Sequence, residues 1–500
     1  MKYKKFAKKV ILKNPILFVL FGYFLLAFYK LDEIPGEWFG DIDILHEYVL
    51  SILSRGWPWN YSLSAGPFYH YLITPLILVI GQNYLQYKVA SVIVGAVGVY
   101  LTYLMAKELA GEKIALMSAV VSSISFWTIV WTRLGNSQIV IPFLVAIVIY
   151  SAEKYSKNNN PWYWATGMFF ASMGLFTYPQ TFVLPLLFLL WLIFNKKHKI
   201  VVISILTFLP AILSFLHVYN LQKDNFTTGY VGSKVPKIEQ FYKITTYKEM
   251  GIRIIRTLGM FHLKGEEGFR TNVSNSPHID LLSGIFLLVG LVYWYKKDRK
   301  TLYIFLIAFL IIIIPSCSPS LNLRETPNNG RTIGVLPIVY TIIASGIYLL
   351  FEKIKGKNNK RLYLIGVLSI IGFLNLYKYF VTYPNNLPNK NVAFGKIISD
   401  YIDNLPINTK VILTSCCWGE WGQAEPKAIY YDLKNREGRE NIVTGRLTGN
   451  VCHPEERNVV YIFNPNDHLL IKRFEECFSQ GTIETYEKKG QKVFSAMYIK

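Results

Sequence analysis

The sequence predicts an all-α polytopic membrane domain of about eleven spans, followed by a small α/β domain outside the membrane. Three observations carry this. The 500 residues are 52% apolar and 15% aromatic, with a mean hydropathy of +0.28, a composition that soluble domains rarely reach. The apolar residues gather into repeated long runs, as a bilayer core demands. From Tyr383 the chain turns polar, entering through Pro384-Asn-Asn-Leu-Pro388, a linker signal. The domains are therefore 1–382, with a first outer loop at 32–83 and a long outer loop at 220–278, and 383–500.

The first run, Pro15–Leu31, follows a leader with six lysines and no acid. It is too long for a signal-peptide core and lacks a small-residue cleavage site, so it reads as a retained span. The others are Tyr84–Ala106, Ile114–Trp131, Ile139–Ala152, Trp162–Thr177, Thr181–Phe194, Ile200–Leu216, Ile279–Tyr295, Leu302–Pro315, Thr332–Phe351 and Leu362–Phe380. With the N-terminus in the cytoplasm, the inner loops hold 22 Lys and Arg against five acids. The first outer loop, up to Gly66, holds six acids and only Arg55. This asymmetry sets the expected orientation, with the tail extracytoplasmic and the chain in the cell membrane. Counting Pro67–Gly81 as a span would invert every later loop, so it is read as re-entrant or interfacial. The net charge of +21 is explained by the basic inner loops, and no basic-aromatic module suits nucleic acid.

In the tail the pattern gives a helix near Val392–Asn404, strands near Lys410–Thr414 and at Val459–Phe463, a helix at Asp467–Phe478 and a closing hairpin. Cys416, Cys417, Cys452 and Cys477 lie here, and Cys317 lies in a loop. Without a CxxC pair a zinc site is not expected. On an oxidising face Cys452 would pair with Cys416 or Cys417, with Cys477 free or paired instead; four reduced cysteines are the alternative.

The stretch Phe39–Gly56 carries Asp41, Asp43 and Glu47, and reads as a helix with Ile44, Leu45, Tyr48, Val49 and Ile52 on one face. Asp41 is the candidate base. Asp43 is a rival second carboxylate, and both taken alone could be a solvated helix start. Asp-x-Asp on a soluble fold would suggest a metal and a nucleotide sugar, but an outer loop argues against both, so no metal or cofactor is expected. His46 and Glu47 read as surface groups. Arg133 and Arg331 both fall at outer span ends, either snorkelling to the interface or offering a planar fork to a phosphate. Arg270, Asn272 and Asp280 lie where the long loop re-enters the membrane, and Arg270 with Asp280 could be a plain ion pair.

Together these stretches resemble the GT-C superfamily of membrane glycosyltransferases, and within it the protein O-mannosyltransferase-like family, glycosyltransferase family 39, in its bacterial and archaeal form. The family's first-loop pattern stands here as Asp41-Ile42, Gly56 and Gly66-Pro67 to Tyr71; the next as Ser125-Phe-Trp127, Arg133, Gly135 and Pro142; then Phe176-Thr-Tyr178 and Pro185. Before the eighth span stand Gly265-Glu266, Arg270, Asn272, Pro277 and Asp280, and last Pro327, Asn328, Arg331, Gly334 and Pro337. Five motifs in order cover roughly residues 10–380. Two positions depart: Ile42 replaces a Glu beside the catalytic Asp, and Phe182 stands where many members have Arg.

The resemblance implies inverting transfer of a mannose-like sugar from a polyprenyl-phosphate donor to an acceptor hydroxyl on a protein, glycan or lipid of the cell envelope. It implies Asp41 as base, Arg331, Arg133 and Arg270 around the donor phosphate, and Asn272, Asp280, Asn328 and Tyr178 in support. The rival is a polyprenyl-linked glycan flippase, which would need polar residues at mid-membrane; the apolar runs hold almost none.

Overall fold

A computed structural model describes residues 14–38, 42–56, 58–61, 66–222, 240, 242–319, 321–414, 424–434, 458–478 and 482–499, together with the backbone of 443–444. The chain divides into two units. The first comprises Met1–Leu31, Tyr48–Ile80 and Tyr87–Tyr383; the second joins Asp32–Glu47 and Gly81–Gln86 to Pro384–Lys500.

The first unit is helical. Among the described residues, six helices are long and apolar enough to cross a bilayer, or seven if one bent pair forms a single span. They are Tyr84–Ala110, Ser137–Asn158, His198–Leu221, Arg299–Cys317, Asn329–Lys353 and Lys357–Asn386. Eleven hydropathic runs thus yield fewer full-length helices. The first run is the 13-residue helix Ile16–Phe28, and Pro67–Ile80 is a 14-residue helix with Pro75 inside. Both are shorter than the ~20 residues of a straight span.

The run expected at Ile114–Trp131 breaks into Glu112–Ile124 and Phe126–Leu134, bent by 57°. A break inside an apolar run frees backbone donors that need partners. The Asn375 side chain accepts the Phe126 N–H at 2.8 Å, and the Ser125 hydroxyl accepts from Tyr340 at 2.7 Å.

Tight helix contact explains two glycines. A Cβ at Gly290 would fall 1.9 Å from the Ile342 carbonyl oxygen, and one at Gly346 would fall 2.1 Å from that of Phe286. Helices Leu281–Lys297 and Leu336–Lys353 therefore meet backbone to backbone, a packing that suits an environment where apolar surface alone does not drive association.

The second unit holds a five-stranded mixed sheet. Its strands are β1 (Lys410–Leu413), β2 (Val443–Thr444), β3 (Val459–Phe463), β4 (Ile483–Lys488) and β5 (Gln491–Ile499), in the order β2-β1-β3-β5-β4. β1 runs parallel to β2 and β3, while β5 runs antiparallel to β3 and β4. Phe394, Ile398 and Ile402 of helix Phe394–Asp403 recur at helical spacing and bury against Val411, Leu413, Val460 and Ile462. On the other face Phe474 of helix His468–Cys477 covers Tyr461 and Phe463. Helix Pro426–Asp432 and strand β2 were not expected from the sequence. Cys477 is disulfide-bonded; Cys416, Cys417 and Cys452 lie outside the described residues. Cys317 is a free, buried thiol in the turn Ile314–Cys317.

Candidate active site

The acidic stretch belongs to the second unit up to Glu47. Asp41 lies outside the described residues. Asp43 has its backbone in helix Ile42–Arg55, and its side chain lies outside them too. The residues on either side are anchored. The Gly36 N–H donates to Asn391 Oδ1 at 2.8 Å, the Gly395 N–H donates to Glu37 Oε2 at 2.7 Å, and Trp38 Nε1 donates to Asp432 Oδ1 at 2.9 Å. Burial, with the negative charge of Asp432 adding to it, pushes the Glu37 carboxyl up to about 8. Beyond the gap, Glu47 pairs with Lys427 at 2.7 Å. His46 corrects the surface expectation: it is fully buried, with its ring edge-on to Tyr431 at 4.3 Å, because the α/β domain supplies the cover.

In the first unit, the motif residues of the long loop and of the stretch before helix Leu336–Lys353 converge on Glu266. Its carboxylate accepts from Thr271 Oγ1 at 2.7 Å, from Asn328 Nδ2 at 2.6 Å and from the Asn329 N–H at 3.3 Å. Burial raises its pKa, while the bonds from Thr271 and Asn329 and the charges of Arg331 and Arg270 oppose the rise. Asn328 also accepts the Arg331 N–H at 2.9 Å, capping the short helical turn Asn329–Thr332. Asn329 is fixed by Trp131 Nε1 at 2.8 Å and by its own bond to the Thr271 carbonyl at 2.6 Å.

Arg331 is 6% exposed, and its Nη2 reaches Glu325 Oε2 at 2.6 Å. Glu325 is half-exposed, on the three-residue turn Leu323–Glu325. Arg270 is partly buried, and its carbonyl accepts from Tyr383. Tyr178 is buried and caps the turn Pro179–Val183. Its motif meets the Gly-Pro run directly: the Gly66 N–H donates to the Thr177 carbonyl, and a Cβ on Gly66 would lie 2.3 Å from Phe176 backbone atoms.

Other expected site residues hold backbone. Asp280 caps helix Leu281–Lys297 through the Ser283 N–H at 2.9 Å and accepts from Asn375 Nδ2 at 2.7 Å, so its oxygens serve a helix end. Asn272 donates to the Ser276 carbonyl at 2.7 Å and accepts from Lys378 at 3.2 Å.

Arg133, expected beside a phosphate, is fully buried and directed at the end of helix Ile16–Phe28. It donates to the carbonyls of Leu26 at 3.1 Å, Ala27 at 3.0 Å, Tyr29 at 2.6 Å and Lys30 at 2.7 Å. Its Nε donates to Tyr379 Oη at 3.0 Å, and its plane lies over the Tyr379 and Phe380 rings at 5.0 and 5.2 Å. A helix C-terminus leaves orphan carbonyls with partial negative charge, and a buried cation satisfies both. This geometry supports a clamp.

Residues 64–221 match the family model of dolichyl-phosphate-mannose-protein mannosyltransferases. The chain is similar in fold to ArnT from Cupriavidus metallidurans bound to undecaprenyl phosphate, with a TM-score of 0.60, 10% identity and 97% of each chain covered. The family model covers residues 64–221, and the likeness to ArnT is one of fold. A second solved chain, the archaeal oligosaccharyltransferase AglB from Archaeoglobus fulgidus in complex with an inhibitory peptide and a dolichol-phosphate, is similar with a TM-score of 0.51 and 12% identity, over 97% of this chain and 74% of that one. Dolichyl-phosphooligosaccharide-protein glycotransferase 1 of Pyrococcus horikoshii is 28% identical over 169 residues, which is 30% of this chain and 17% of that relative. The alignment thus spans about a sixth of the curated relative's length.

Among the groups described above, Glu266, Glu37 and Asp432 were not singled out from the sequence as candidate site residues. Glu266 was visible as part of a motif, but only the fold brings Asn328 and Asn329 to it. Nothing in the order of residues announces that Asp432 meets Trp38. Among the described residues, no group of three His, Cys, Asp or Glu could hold a metal.

Proposed function

We propose that this chain is a GT-C glycosyltransferase that transfers a mannose-like sugar, with inversion, from a polyprenyl-phosphate-linked donor to an acceptor hydroxyl at the outer face of the cell membrane. Asp41 takes the acceptor's proton as the new C1–O bond forms. The bond from C1 to the phosphate oxygen breaks, and the polyprenyl phosphate leaves with the electron pair. Its growing charge is met by Arg331 and Arg270. Asn328 and Glu266 hold the turn that carries Arg331, Tyr178 and Asn272 shape the surrounding backbone, and Arg133 braces a helix end.

The observation that carries this reading is Arg331. It is a buried guanidinium paired through Nη2 to a half-exposed carboxylate on a short turn, so a phosphate can take the place of that carboxylate. Undecaprenyl phosphate in ArnT and dolichol-phosphate in AglB, both bound by proteins of this fold, add support. The N-terminus is placed in the cytoplasm and the tail outside by loop charge.

The test is incubation of membranes containing the chain with radiolabelled polyprenyl-phosphate sugars. Label should pass to a protein, glycan or lipid acceptor. Label that crosses the bilayer while still on its polyprenol would instead support the flippase reading.

A further inference from the structure

Helix Ile244–Gly259 sits in the long loop at 220–278, where hydropathy predicts no membrane segment. Its amphipathicity is inverted relative to a soluble helix. Thr246, Arg253 and Thr257 are its buried residues. Ile244, Tyr247, Ile254, Ile255 and Leu258 are 86%, 57%, 39%, 71% and 45% exposed. At 3.6 residues per turn these five fall on one stripe roughly 100° wide, opposite the buried three. The polar face thus meets the protein and the apolar face points away from it.

The polar face is firmly held. Arg253 Nη2 donates to the Leu321 carbonyl at 2.6 Å, Arg256 Nη1 to that of Leu323 at 2.8 Å, and Cys317 Sγ lies 3.8 Å from Thr257 Oγ1. Cys317 ends the spanning helix Arg299–Cys317, so the stripe lies where a span leaves the membrane. That span also carries exposed apolar residues near its end, Leu310 and Ile314, at 50% and 58% exposed. Tyr242, Lys243 and Lys248 are also exposed, and tyrosine and lysine at such a level match the headgroup zone.

We propose that Ile244–Gly259 lies in the bilayer interface, its outward stripe at the acyl-chain boundary and Lys243 and Lys248 among anionic headgroups. The occupant is the lipid surface itself. Docking there fixes the carbonyls of Leu321 and Leu323, and with them the turn whose Glu325 pairs with Arg331; this consequence rests on the reading of Arg331 given above.

The experiment uses the full chain in vesicles of phosphatidylcholine and phosphatidylglycerol. A small fluorophore is placed on Ile255→Cys or on Glu249→Cys, and the labelled wild-type chain supplies the background. Lipid carrying a nitroxide on its acyl chain should quench the Ile255→Cys probe severalfold more than the Glu249→Cys probe, and aqueous iodide should show the reverse order. Leaving out phosphatidylglycerol should weaken the lipid quenching. Equal iodide quenching at both positions would overturn the proposal. No sugar transfer enters this readout, so it stands or falls apart from the proposed reaction. Ile255→Asp then links the two: its transfer rate should drop severalfold in vesicles and little in detergent, and equal loss in both would remove the coupling to Arg331.

Discussion

The acidic stretch of the second unit and the polar cluster around Glu266 in the first are both motif-rich, yet they are held in opposite ways. Around Glu266 the bonds come from a hydroxyl, a side-chain amide and a backbone N–H within the same unit, and the members are mostly buried. Around Asp32–Glu47 the anchors are side chains separated from it by more than three hundred residues, among them Asn391, Asp432 and Lys427. The first arrangement fixes a rigid turn that carries a cation. The second ties the described flanks of the acidic stretch to the α/β fold of their own unit. A motif residue of the first unit can also hold backbone while keeping its place in the motif, as Asp280 does at a helix start and Arg133 does at helix-end carbonyls.

The sharpest break between the two regions is at the carboxylate itself. Asp41→Asn should abolish transfer while leaving folding and donor binding largely intact, because the amide keeps the shape and loses the base. Asp43→Asn should cost less. Initial rates with a radiolabelled donor, beside filter binding of that donor, separate these; a dead Asp43→Asn with an active Asp41→Asn would shift the register by two.

Next comes the cation. Arg331→Ala should remove most activity, and Arg331→Lys should weaken donor use measurably, since lysine keeps the charge and loses the fork. Donor dependence in detergent reads both. Wild-type donor dependence in Arg331→Ala would move the phosphate site toward Arg270.

Arg133→Lys should act on stability instead. Losing the fork strands carbonyls at the end of Ile16–Phe28, at about 1–3 kcal/mol per charged bond lost, so thermal unfolding in detergent should come earlier with donor KM unchanged. A raised donor KM with unchanged unfolding would return Arg133 to the phosphate.

Much of this architecture is legible in the sequence because apolar runs and alternation report burial directly. β3 falls where the run Val459–Phe463 put it, and Phe394–Asp403 follows its helical spacing. Span number was less legible: Ser125 splits one run, a break that depends on Asn375 from a distant helix. The helix Ile244–Gly259 escaped because its mean character is polar and only its orientation exposes the stripe. At the site, residue type narrowed the choice to acids and arginines. It could not tell an arginine aimed at carbonyls from one aimed at a carboxylate, since both lie at span ends.

The smallest effect tests the anchoring of the acidic stretch. Glu37, outside the spanning helices, has its carboxyl raised from 4.5 to about 8, by burial first and by Asp432 second. The folded chain therefore keeps a proton there that the unfolded chain gives up near the ordinary glutamate value. Between those two values the folded state binds more protons, so stability falls as pH rises, and the fall levels off above the folded value. At about 1.4 kcal/mol per unit the contribution is of order a few kcal/mol. Glu37→Gln keeps an acceptor oxygen for the Gly395 N–H and removes the titration. Unfolding temperature of the purified chain, followed from about pH 5 to about pH 9, should show a shallower decline in Glu37→Gln than in wild type, with the variant ahead at the alkaline end. An unchanged slope would mean that Glu37 is already ionised in the folded chain, and that the acidic stretch is held by Trp38, Asn391 and Lys427 without a buried proton.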